Sequence, residues 1–112
     1  MKRGEIWLIN LDPSIGAEIR KTRPAVIVSS DAVGVLPLKV IVPLTDWKDR
    51  YRIAGWMVPV EASARNGLEK ASAADTFQVR SLARERFVRR LGDMDEKQMS
   101  EIAQALALVL EI

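Results

Sequence analysis

The chain has 112 residues, 48% hydrophobic and 29% charged, which suits one folded domain spanning residues 1–112 and excludes a disordered composition or a second large core. The formal net charge is only +2, yet Arg20, Lys21 and Arg23 form one basic group and Arg80, Arg84, Arg86, Arg89 and Arg90 another, a distribution suited to holding phosphates or to forming a solvated charged face. Cysteine and histidine are both absent, so disulfides, thiolate nucleophiles, zinc–thiolate sites, histidine–carboxylate metal sites and the commonest general base are excluded.

Glu5 to Leu11 is dense in aliphatic and aromatic residues and stops at Asp12-Pro13, which predicts a first strand. No signal-like or membrane-length apolar stretch accompanies it, so the expected location is cytoplasmic, away from any membrane. Ser14 to Pro24 contains Gly16, three basic residues and a closing proline, the makings of a polar loop drawn out before Pro24. The β-branched runs Ala25–Ser29 and Leu38–Thr45 predict neighbouring antiparallel strands joined by a turn around Asp31 and Gly34. Pro43 and Pro59 each interrupt a strand-like run, which predicts an edge or a bulge at both.

Trp56–Glu61, Thr76–Leu82 and Phe87–Leu91 supply three more strand-like runs, the last ending at Gly92. The period then changes: Met99, Ile102, Ala103, Leu106, Val109 and Leu110 recur at spacings of three and four, predicting an amphipathic helix capped by Asp95. Short strands followed by one terminal helix predict an α+β, mainly β, fold: a curved antiparallel barrel with the C-terminal helix laid across it.

The acids stand singly along the chain, among them Asp12, Glu18, Asp31, Asp46, Asp49, Glu61, Glu69 and Asp75, so no metal site is expected. Glycine-rich phosphate loops, the nucleophile elbow and the dinucleotide fingerprint are missing, and no cofactor is expected. What remains is arginine beside small hydroxyls, a pairing that clamps phosphate and stabilises charge building on it. RNA brings its own nucleophile, the 2′-hydroxyl.

Lys2-Arg3-Gly4-Glu5-Ile6-Trp7, Leu11-Asp12-Pro13 and the run Ile15 to Pro24 containing Thr22-Arg23-Pro24 carry a specific pattern. It continues through Ala25–Ser29, Val42-Pro43-Leu44-Thr45, Gly67-Leu68-Glu69-Lys70-Ala71-Ser72, Phe77-Gln78-Val79-Arg80 and Arg90-Leu91-Gly92. In this order, over nearly the whole chain, the sequence resembles the MazF/PemK toxin endoribonucleases. The resemblance implies an SH3-like barrel, a homodimer, metal-independent cleavage of single-stranded RNA and inhibition by a cognate antitoxin. It also implies that Arg23 and Thr45 are catalytic, and that Gln78 binds substrate. Ala17 stands where relatives often carry serine, and Phe77 where some carry an acid.

Glu18, Arg20, Lys21, Trp47, Arg50, Gln78 and Arg80 are the expected RNA contacts, with Glu18 a candidate base. Asp46 to Arg52 alternates aromatics with charges, a pattern that grips a single strand or rests on the barrel or an antitoxin. Trp7, Trp56 and Phe87 are expected in the core or a subunit contact, and the terminal helix and first strand in a dimer interface. Two other readings remain: a toxin-fold module that inhibits a protein target without nuclease activity, and an unrelated barrel that only assembles.

Overall fold

The computed structural model describes residues 1–33 and 35–112; Gly34 of the expected turn lies outside the described residues. Among them are strands β1 (Glu5–Asn10), β2 (Thr22–Ile27), β3 (Leu38–Asp46), β4 (Met57–Val60), β5 (Ser72–Asp75), β6 (Arg80–Ala83) and β7 (Phe87–Asp93), followed by helix α1 (Glu96–Leu110). Every pairing is antiparallel, in the order β4-β5-β3-β2-β1-β7, with β6 also paired to β3.

The mainly β antiparallel architecture with a C-terminal helix is as expected, and the sheet's path ends at β4 and β7, so it is not closed into a complete barrel. Strand β3 is the pivot. Its Leu38–Ile41 half pairs with β6, whereas Leu44–Asp46 pairs with β5. Pro43 sits in this handover, in the middle of the sheet rather than at an edge or bulge. There the strand pairs with β2 alone, and a residue with no N–H to donate costs the ladder least. Pro59, by contrast, lies in the edge strand β4 as its chemistry demands.

Strand alternation buries apolar side chains on both faces. Ile6, Val26, Val42 and Leu44 project into one cluster, which α1 covers with Ile102 and Ala105. Ile9, Ala25, Ile27 and Ile41 project into the other, closed by Leu11, Leu82 and the edge-to-face pair of Trp7 and Phe87, 5.8 Å apart. The helix starts where Asp95 accepts a 2.8 Å hydrogen bond from the Gln98 amide. Its covered stripe runs through Ala105 rather than the expected Ala103, which is exposed. No helix among the described residues is long and apolar enough to cross a membrane.

Two segments differ from the sequence expectation. Ser72–Asp75 forms β5, and the predicted strand from Thr76 begins instead as a 3-10 turn, Thr76–Gln78. Asp75 causes the break: its side chain accepts from the Phe77 amide at 3.2 Å, capping a turn where a ladder would otherwise continue. Trp56 also departs from the core, being 41% exposed in edge contact with Phe77 at 6.2 Å.

Candidate active-site groove

Strands β2 and β3 pair Ala25 with Pro43. That is the last β2–β3 pair: Arg23, two residues before Ala25, pairs with Ile9 of β1, and Thr45, two residues after Pro43, pairs with Ala73 of β5, while strand alternation turns each to the same side as its neighbour two residues away. They line a groove of about 520 Å³ together with Gly16–Lys21, Tyr51, Asp75 and Gln78. Two residues 22 apart in the chain thus line one groove.

The Arg23 Nε donates to the Arg20 carbonyl at 3.3 Å, which leaves both terminal nitrogens of the guanidinium for the groove. No carboxylate forms an ion pair with Arg23 among the described residues. The groove therefore holds Arg20, Lys21 and Arg23 against Glu18 and Asp75, a basic balance suited to a phosphate.

The loop that forms the outer wall is held by side chains. Ile15 donates its amide to the Glu18 carboxylate at 2.6 Å, and Lys21, in a left-handed conformation (φ 68°), donates its amide to Asp12 at 3.0 Å. Gln78 clasps the loop from across the sheet. Its Oε1 accepts from the Ile19 amide at 2.7 Å, and its Nε2 donates to the Ala17 carbonyl at 3.3 Å and to Asp75 at 3.3 Å. With its amide so engaged, Gln78 positions the loop.

Asp75 is 6% exposed. Burial raises its carboxyl above the ordinary value of 3.8, and hydrogen bonds from the Phe77 amide, the Gln78 side chain and the Gln78 amide offset part of that shift. A carboxyl whose affinity for a proton is raised and which lines a groove is a candidate proton acceptor. Sequence reasoning did not equate Asp75 with a functional acid; its signal is the Asp-x-Phe-Gln turn that places it beside Gln78.

Of the residues expected from sequence, Arg23, Thr45, Glu18, Arg20, Lys21 and Gln78 converge here. Trp47 and Arg50 do not line the groove. They support Tyr51, which does: Trp47 meets its ring edge-on at 6.0 Å and the Arg50 guanidinium lies 5.4 Å from its centre. Arg80 lines an adjoining depression with Phe77, Gln78 and an apolar floor of Leu11, Ile19, Pro43 and Val79.

The fold matches the crystal structure of MazF from Deinococcus radiodurans with a TM-score of 0.83 at 24% identity, covering 100% of this chain and 97% of that one. It also matches a mycobacterial endoribonuclease in complex with its cognate antitoxin, with a TM-score of 0.77 at 21% identity, covering 100% and 96%. In sequence, the chain is 32% identical to endoribonuclease MazF9 of Mycobacterium tuberculosis, covering 100% of this chain and 98% of that protein. It is 35% identical to endoribonuclease PemK of Escherichia coli, covering 98% and 82%. Residues 2–110 match the model of the PemK-like, MazF-like toxins of type II toxin–antitoxin systems, and the chain belongs to that family.

Proposed function

We propose that this protein is a sequence-specific, metal-independent endoribonuclease toxin that cuts single-stranded RNA and is held inactive by a cognate antitoxin. The observation that carries the reading is that Arg23 and Thr45 line one basic groove. The 2′-hydroxyl of the nucleotide before the cut attacks the adjacent phosphorus, and Asp75 takes its proton. Arg23 stabilises the charge gathering on the phosphoryl oxygens, while the Thr45 hydroxyl donates to a non-bridging oxygen. The bond to the 5′-oxygen breaks and that oxygen takes a proton from water, leaving a 2′,3′-cyclic phosphate and a 5′-hydroxyl. Arginine holds its proton too tightly to serve as the base, and of the two carboxylates that line the groove, Glu18 and Asp75, Asp75 is the one whose carboxyl burial raises.

The groove is the RNA site in this reading. The homodimer uses the exposed end of α1, where Leu108 and Leu110 are 63% and 52% exposed. Strand β1 adds no free edge to it, because β2 and β7 pair both of its sides. The test is cleavage of single-stranded RNA in excess chelator by purified protein, with the new ends analysed. Arg23→Ala and Thr45→Ala should each fold normally and lose about 10²–10³-fold in rate, the size of one lost group that stabilises transition-state charge. Full activity in both variants, or cleavage that vanishes with chelator, defeats the reading.

A further inference from the structure

Arg23 and Thr45 do not sit at the bottom of a single groove. They form a ridge, because both also line a second depression of about 420 Å³ on the opposite side, whose wall includes Leu8, Pro24, Gly67, Lys70 and Arg89. A strand held with its reacting phosphate on this ridge must continue in both directions. One flank enters the groove under the Gly16–Lys21 loop, and the other faces the second depression.

The sheet register places Arg89 there. Leu8 pairs with Pro24 on one side and with Arg89 on the other, so these three side chains project from the same face. Arg89 stands two interstrand spacings, about 10 Å, from Pro24, the immediate neighbour of Arg23. Apart from Arg23, assigned to the reacting phosphate, the other cations of this depression are already engaged. Lys70 pairs with Asp46 at 3.1 Å, and Arg90 pairs with Asp93 at 2.6 Å and with Glu5 at 4.0 Å. Arg89 is exposed and has no ion pair among the described residues.

The opposing wall is built to stay in place. Gly67 has φ 69°, and a Cβ on it would lie 2.1 Å from the Leu91 carbonyl oxygen; one on Gly92 would lie 2.2 Å from that of Arg65. The two backbones therefore touch along the loop before β5 and β7. The Asp93 amide donates to the Arg65 carbonyl at 3.0 Å across that contact. A cation without a partner, on a rigid wall beside the reacting position, is the arrangement a phosphodiester recognises.

We propose that this second depression is a backbone subsite for the same RNA strand, occupied by a phosphate next to the reacting one and held by Arg89. The inference rests on the nuclease reading above. Binding of labelled single-stranded RNA is measured in a Thr45→Ala background, which keeps the RNA intact, across a series of salt concentrations. Arg89→Gln should weaken binding about 3- to 5-fold, the size of one exposed charge pair, and lower the slope of log affinity against log salt by about 0.7, one phosphate's worth on a single strand. Arg89→Lys should keep the slope. Arg84→Gln, the same charge change at an exposed site outside both depressions, should leave affinity and slope as they were. Trimming the RNA on one side of the cut should abolish the Arg89→Gln effect, and trimming the other side should preserve it.

An Arg89→Gln protein with the parent's affinity and slope overturns the subsite while leaving the nuclease reading intact. So does one whose only change is weaker self-association in sedimentation, which would make the depression a subunit contact. A parent protein that binds no single-stranded RNA at all removes the nuclease reading first, and the subsite with it.

Discussion

Two loops flank the Arg23–Thr45 ridge; both are mostly exposed and held by side chains on backbone groups, and they differ in how deeply the anchoring side chain is buried. The loop from Asp12 to Lys21 is mostly exposed, Ile15 to 82%, and is held by side chains reaching backbone groups: Glu18, Asp12, Ser14 and the distant Gln78. The loop from Glu61 to Ala71 turns around Asn66, which is 3% exposed. Its Oδ1 accepts from the Ser63 and Leu68 amides at 3.0 Å each, and its Nδ2 donates to the Glu61 carbonyl at 2.7 Å. Buried amide bonds do not exchange with water, whereas exposed ones compete with it. One wall is thus anchored by a buried amide, the other by side chains that reach it along the surface.

The comparison breaks if the two walls respond alike to loss of their central side chain. Asn66→Ala strands buried polar groups and should cost about 2–3 kcal/mol of stability, read as a lowered denaturation midpoint with an unchanged m-value. Activity per folded molecule should fall much less. Gln78→Ala should do the reverse, lowering cleavage about tenfold by misplacing groups around the reacting phosphate while shifting the midpoint little. Equal losses of stability in both variants would remove the distinction.

A smaller effect sharpens it. Asp75 must be ionised to accept a proton, so cleavage should decline as pH falls through its folded-state value, which burial lifts above 3.8. Asp75→Asn should lower the rate and erase that acidic limb, which a pH–rate profile reads directly. The same shift has a stability sign: the folded state binds the proton more tightly than the unfolded one. Ionisation of Asp75 therefore opposes folding, and its contribution to stability improves as pH falls through the raised value and levels off below 3.8. A profile with an unchanged acidic limb in Asp75→Asn assigns the base to another group.

Much of this molecule is written locally. The aliphatic run from Glu5, the β-branched runs Ala25–Ser29 and Leu38–Thr45 and the three-to-four spacing after Asp95 are properties of consecutive residues, and elements form there, although β2 begins earlier than expected, at Thr22 inside the expected loop. Strand β5 was not legible because Ser72-Ala73-Ala74-Asp75 has no apolar alternation; all four are buried only because β3 and β4 close over them. The helix stripe was legible in type but shifted in phase. Ala103 and Ala105 are equivalent by composition, and contact with the sheet alone decides which is covered.

The site divides along the same line. The motifs around Arg23, Thr45 and Gln78 are short stretches of sequence, so their residues were named from sequence alone. Their assembly required the β2–β3 register, the clasp of Gln78 on the Ile19 amide and the burial of Asp75. The ridge with depressions on both sides appears only when strands distant in sequence lie side by side. Sequence by itself determined which chemistry the chain carries, because side-chain type and local period are local properties. Tertiary structure alone decided which groups share a groove, since distance, burial and partner choice depend on contacts between residues far apart in the chain.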